Sequence, residues 1–194
     1  MRDDAWTVVK VGGSLFDWPA LRVQLDDWLR QLDAGRVLLI PGGGRAAEAI
    51  RELDRLHRLG EDASHWLAIQ AMSLNAHFVK ELLPGAEIVS DPGAVGLAYA
   101  SGWYVLDALP FFRADESNAD HLPHCWHVTS DSLAVRAAVC VKARELILLK
   151  SVDWHNQDWA DAVRSGVVDG YFVEALKKTR PEMRVRVVNL RSWR

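Results

Sequence analysis

Thr7-Val8-Val9-Lys10-Val11-Gly12-Gly13-Ser14 and Val37-Leu38-Leu39-Ile40-Pro41-Gly42-Gly43-Gly44 are two short apolar runs, each broken by glycines. An apolar run of this length ending in glycine reads as a buried strand entering a tight turn. Glycine leaves backbone N–H groups unobstructed by a Cβ, and a helix after the turn adds free N–H groups and the positive end of its dipole. Both turns therefore suit phosphate oxygens, and together they predict two phosphorylated groups held face to face.

Working outward, Asp17-Trp18-Pro19 reads as a helix start, with Asp17 as cap and Pro19 in the first turn. Leu21, Leu25, Trp28, Leu29 and Leu32 then fall at helical spacing up to Gly35. Ala46, Ala49, Ile50, Leu53 and Leu56 line a second helix that Gly60 stops. Asp62 is read as the cap of a long helix carrying Trp66, Leu67, Ile69, Leu74, Phe78 and Leu82. Glu87 to Val89 and Trp103 to Leu106 read as strands, with a short helix between loops over Asp91 to Gly102.

Pro110 to Pro123 mixes charge, Asn and two prolines and is assigned to a surface loop. After it come Trp126 to Thr129, a turn at Ser130-Asp131, an Ala/Val-rich helix to Val141, and the strands Glu145 to Lys150 and Val185 to Asn189. Strands alternating with helices predict an α/β fold, a mainly parallel sheet between helical layers.

At 194 residues, 49% of them hydrophobic, the chain is sized for one domain with a substantial core. A formal charge of -3 argues against a broad nucleic-acid surface, which needs many Lys and Arg to neutralise phosphates. No apolar run approaches the ~18 to 20 residues that span a bilayer. Two cysteines and no charged-then-apolar opening lead us to expect cytoplasmic residence without disulfides. The nine tryptophans are scattered and read as core and interface area, which would serve a homo-oligomer.

Lys10 stands two residues before Gly12, where a strand-end side chain reaches the space above the turn and can follow charge on a moving phosphate. Spacing alone reads equally well as a solvated lysine. No Gly-Lys dipeptide occurs, so this is not a Walker A loop. Gly42-Gly43-Gly44-Arg45-Ala46-Ala47 matches the dinucleotide fingerprint, but the acidic residues about twenty positions on, Glu61 and Asp62, fall between two helices instead of ending a strand. His121, His124, Cys125 and His127 fall within seven residues. Neighbouring His124 and Cys125 do not easily converge on one ion, and no Cys-x-x-Cys accompanies them, so no metal ligands are assigned.

Lys10-Val11-Gly12-Gly13-Ser14-Leu15, Pro41-Gly42-Gly43-Gly44, Thr129-Ser130-Asp131-Ser132-Leu133-Ala134 and Leu146-Ile147-Leu148-Leu149-Lys150-Ser151-Val152-Asp153 follow the order and spacing of the amino acid kinase family. The chain resembles that family, which includes acetylglutamate, uridylate and isopentenyl phosphate kinases, over nearly its whole length. The resemblance implies a three-layer α/β/α sandwich with the acceptor in one half, about residues 1–125, and ATP with Mg²⁺ in the other, about residues 126–194. It implies that Lys10 stabilises the transferring group, that Asp131 orients lysines or Mg·ATP, and that Gly12, Gly13 and Ser14 hold donor phosphates. Gly42, Gly43, Gly44 and Arg45 would serve the acceptor; Ser130, Ser151, Asp153, Trp154, Val168 and Asp169 would serve the nucleotide.

The tracts Ser64 to Met72 and Trp126 to Ser132 are most similar to small kinases of methanofuran biosynthesis, which phosphorylate an aminomethyl-furanmethyl phosphate. Two departures stand out. Trp154 replaces a glycine near the expected nucleotide, where it would stack on the base or obstruct it. The second lysine of several family members has no direct counterpart, which leaves Lys150 as the substitute cation unless it faces solvent. A small-molecule kinase is the leading expectation. A non-catalytic nucleotide- or anion-binding sensor and a uridylate-like kinase are the alternatives.

Overall fold

The computed structural model describes residues 5–91, 101–156 and 158–194. Among these residues six strands form one sheet: β1 (Trp6–Val11), β2 (Arg36–Pro41), β3 (Glu87–Val89), β4 (Gly102–Leu106), β5 (Glu145–Lys150) and β6 (Arg184–Asn189). Their order is β3-β4-β2-β1-β5-β6 and every pairing is parallel. Parallel strands need helical crossovers, which cover both faces, so β1 and β5 are buried at every position.

Strand parity sorts the side chains into two cores. Val8, Leu38, Ile40, Leu146 and Leu148 face one helical layer, formed by the first half of α3 (Glu61–Leu82), α4 (Ala108–Asp115), α5 (Ser130–Cys140), α6 (Trp159–Arg164) and α7 (Phe172–Leu176). Val9, Val11, Val37, Leu39, Ile147 and Leu149 face α1 (Leu21–Gln31) and the last turns of α3. At 22 residues α3 reaches both cores, giving Trp66, Ile69 and Met72 to the first and Ala76 and Val79 to the second. Among the described residues, α2 (Gly44–His57) packs on α3 and has no fully buried residue.

All six expected strands form, and several local expectations are corrected. The first glycine turn leads into a 3₁₀ turn, Gly13–Leu15, and α1 begins only at Leu21, capped by Ala20 without a side-chain bond. Asp17 is therefore not its cap; its carboxylate takes Arg45 instead, at 2.9 Å. Gly60, at φ 88°, precedes α3, while Asp62 lies inside the first turn. The expected loop over Pro110 to Pro123 begins as α4, because a proline in the first turn gives up no intrahelical bond and Phe111 and Phe112 are buried. Most of the helix expected over Asp91 to Gly102 lies outside the described residues.

Asp115, at the end of α4, binds Arg136 of α5 through both carboxylate oxygens, with Nε 2.6 Å away, and both side chains are nearly inaccessible. Asp115→Ala would leave a buried guanidinium unpaired. It is expected to cost about 3–5 kcal/mol, read as a lowered midpoint in chemical or thermal denaturation.

Candidate active site

Lys10 is the penultimate residue of β1 and Lys150 the last of β5, on adjacent parallel strands. Each lies an even number of residues from Val8 or Leu148, so both project toward the layer that contains α5. They meet Asp131, the second residue of α5. Lys10 Nζ stands 2.9 Å from its Oδ1, and Lys150 Nζ stands 2.7 and 2.9 Å from its two oxygens. All three side chains are buried.

Burial opposes charge on Asp131, but Lys10 and Lys150 outweigh it and hold the carboxyl below its ordinary range. The dipole end of α5 adds to this. Burial, followed by the charge of Lys10, pushes Lys150 down to about 8 against the pull of Asp131. Two ammonium groups on one carboxylate leave one formal positive charge where water is scarce.

Asp131 is held by the capping of its helix. Thr129, the cap residue of α5, makes no capping bond with its side chain. The bonds come from Asp169: its Oδ2 accepts Thr129 N at 3.0 Å, Thr129 Oγ1 at 2.9 Å and Ser132 N at 2.9 Å. Its Oδ1 accepts Ser132 Oγ and Tyr171 N. Burial and the neighbouring Asp131 charge raise its pKa against these bonds. Asp169 thus occupies itself within the protein, and its neighbour Val168 is core.

The two glycine turns touch each other. A Cβ on Gly13 would lie 2.4 Å from Gly44 N, one on Gly42 would lie 2.8 Å from Gly13 N, and one on Gly12 would lie 2.7 Å from Leu149 O. Glycine is needed here for backbone approach. Gly12 N–H donates to Leu149 O and Gly42 N–H to Val11 O, so those two groups are already used. The N–H groups with no intrahelical acceptor are those that open α2, from Gly44 to Ala46. Asn75 of α3 fixes the second turn by donating to the carbonyls of Gly42 and Gly43 at 2.7 and 2.8 Å.

Around this floor is an open cavity of about 420 Å³. Lys10, Gly12, Gly13, Ser14 and Lys150 line one side; Gly43, Gly44, Arg45, Glu48 and Arg51 line another; Met72, Trp126, Thr129 and Ser130 complete the wall. The cavity opens at the carboxyl ends of the strands, where α1 and α6 leave β1 and β5 for opposite faces. Ser14 Oγ meets Ser151 Oγ at 2.9 Å on its rim, and Arg191 donates to Ser14 O at 3.0 Å.

Other expected residues lie elsewhere. Asp153 accepts Asn189 Nδ2 and Ser192 Oγ. Trp154 lines a separate groove of about 940 Å³ with Glu145, Trp159 and Arg184 to Val187, where it packs against the first core. It turns back along the β6 edge and neither stacks over nor blocks the phosphate floor. Arg45 does line the cavity, where it is exposed and paired with Asp17.

The sequence reading missed Arg51, Trp126, Asn75 and the capping role of Asp169. Arg51 lies 4.2 Å over the Trp126 ring, and Trp126 Nε1 donates to Asp54 at 2.7 Å. Only the fold brings these together, since α2 and the segment before α5 are about seventy residues apart.

The amino acid kinase family model matches residues 5–153, the span that contains both glycine turns, Asp131 and Lys150. This chain belongs to the amino acid kinase family. Among curated relatives it is 28% identical over 158 residues to the [5-(aminomethyl)furan-3-yl]methyl phosphate kinase of Methanocaldococcus jannaschii, a match covering 75% of this chain and 66% of that protein. Among solved structures it resembles uridylate kinase from Archaeoglobus fulgidus, with TM-score 0.65, 19% identity, and 94% and 89% of the two chains covered. It also resembles the Bacillus anthracis UMP kinase, with TM-score 0.62, 12% identity, and 97% and 88% covered. At these identities the structural likeness establishes the shared α/β/α fold.

Gly13→Ala places a methyl group against the Gly44 backbone and is expected to destabilise the fold by about 1–3 kcal/mol. Gly85→Ala, with open space around its Cβ, serves as the control and should stay within about 0.5 kcal/mol of the parent in urea denaturation.

Proposed function

We propose that this chain is an ATP-dependent small-molecule kinase that transfers the γ-phosphoryl group directly to a phosphate or carboxylate acceptor. The observation that carries the reading is the Lys10–Asp131–Lys150 cluster under the glycine turns. A transferring phosphoryl group spreads negative charge over its oxygens, and fixed cations in a poorly solvated site favour that state without having to reorganise. Lys10, between the two turns, would follow the group across. Lys150 would balance charge on the donor side, and Asp131 would keep both cations in place.

The donor would enter over Ser14, Ser130 and Ser151, which puts ATP on the side built from residues 126–194 and the acceptor on the α2–α3 side. Asp17 and Glu48 are the carboxylates lining the cavity, and Asp17 is shared with Arg45. This sparse set fits a Mg²⁺ carried mainly by nucleotide phosphates, where it would neutralise their charge.

On the acceptor side, the first-turn N–H groups of α2, with Arg45 and Arg51, suit a phosphate. The Trp126 indole, with Arg51 over one face, offers a flat apolar surface, and Glu48, 3.6 Å from Arg51, offers a partner for an amine. A phosphate monoester carrying a flat ring and an amine satisfies all three, as does the aminomethyl-furanmethyl phosphate named for the archaeal relative. A homo-oligomer is part of this reading, supported by exposed Leu53, Leu56, Leu67 and Leu74 on α2 and α3. Sedimentation should give a mass above that of one chain.

The test is ADP release from ATP with the furan phosphate, with UMP and with no acceptor. Turnover is expected with the furan phosphate, and Lys10→Ala should lower it by about 10³-fold or more while retaining the parent circular dichroism. Near-normal turnover in that variant would overturn the mechanism. Preference for UMP would favour the uridylate-like alternative, and nucleotide binding without turnover would favour a sensor.

Because Lys150 titrates near 8, kcat/KM should fall as pH rises through about 8 and its positive charge is lost. Lys150→Arg, which stays charged, should move that alkaline limb upward.

A further inference from the structure

Between α4 and α5 the chain gathers titratable side chains that phosphoryl transfer does not use. Glu116, just beyond α4, brings a carboxylate oxygen within 4.8 Å of one ring nitrogen each from His121 and His124. His124 Nε2 stands 3.1 Å from Glu116 Oε2. Two ligand atoms bound to one tetrahedral ion at about 2.0–2.2 Å adopt a similar separation.

The other nitrogen of His124, Nδ1, stands 2.6 Å from Asp62 Oδ1 at the start of α3. Asp62 holds the proton on Nδ1, so a cation replacing the proton between Nε2 and Glu116 would meet the Nε2 lone pair, the arrangement that orients metal-bound imidazoles. The ring is clamped as well. Buried His65 stacks on it at 4.9 Å, and Trp66 meets it edge-on at 4.9 Å.

We propose that Glu116, His121 and His124 bind one zinc-class divalent cation, with Asp62 as the positioning residue for His124. Two imidazoles and one carboxylate suit zinc or cobalt better than magnesium, which prefers oxygen ligands. Exposed His121 leaves a fourth position open to water. The cation would tie the segment after α4 to the start of α3 through Asp62. Two residues on, Trp126 forms part of the cavity wall, so the tie would brace the acceptor side.

This ligand set differs from the four residues that stand out in sequence. Cys125 is not in the group, and the His127 ring lies against Gly170, with Nδ1 3.1 Å from where a Cβ would sit there. Glu116 takes their place.

The test titrates the tag-free full chain with Zn²⁺ alone, then with Co²⁺ alone as a spectroscopic probe. One ion per chain, a raised thermal midpoint with Zn²⁺ and an intense low-coordinate Co²⁺ visible band are expected. Glu116→Gln and His121→Ala should abolish saturable binding, Asp62→Asn should weaken it by about 10- to 100-fold, and His127→Ala should leave it unchanged. His121 is exposed, so its variant keeps the fold and isolates the ligand effect. Absence of saturable binding in the parent chain, or binding that survives His121→Ala and is lost in His127→Ala, would overturn the proposal. These readouts do not depend on kinase turnover.

Discussion

The carboxylate of Asp131 shared by Lys10 and Lys150 is the interaction on which the rest depends. Two ammonium groups at the ends of neighbouring buried strands would repel each other and lose hydration if nothing stood between them. Asp131 meets both costs from the first turn of α5, and Asp169 fixes that turn from another part of the chain. Removing water from three charges is costly unless they are well paired. The pairing here is close, and the two lysines facing the cavity outnumber the carboxylate that joins them by one. A site that served stability alone would gain nothing from that surplus, whereas a phosphoryl-transfer site uses it.

The glycine turns depend on the same construction. They approach one another closely enough that a methyl group on Gly13 or Gly42 would strike backbone. That approach brings the ends of β1 and β2 and the start of α2 around one floor. The turns are therefore one structural unit, with the first-turn N–H donors of α2 opening onto the same floor as Gly13 and Ser14.

The strands were readable because buried parallel strands are near-continuous apolar runs; Val37 to Ile40 and Leu146 to Leu149 are unmistakable in that respect, and Val8 to Val11 is broken only by Lys10. Lys10, Asp131 and Lys150 were readable as candidates because each sits in a motif at an element's end. What joins them was not, since their contacts span up to 121 residues of chain and depend on sheet register. Asp17 and Asp62 illustrate the limit of local signals. Both look like helix caps, yet each is drawn to a cation or histidine far away in sequence. Trp154 was assigned to the nucleotide by its position in a motif, whereas its indole follows the apolar cover along β6. The prolines suggested a loop where buried Phe111 and Phe112 hold a helix.

The most direct measurement is a crystal structure with a non-hydrolysable ATP analogue and Mg²⁺. The account predicts the terminal phosphate within hydrogen-bond reach of Lys10 Nζ and Lys150 Nζ, above Gly13 and Ser14, with Asp131 still joining the two lysines. A nucleotide whose phosphates lay instead in the groove beside Trp154 and Arg184 to Val187 would contradict it.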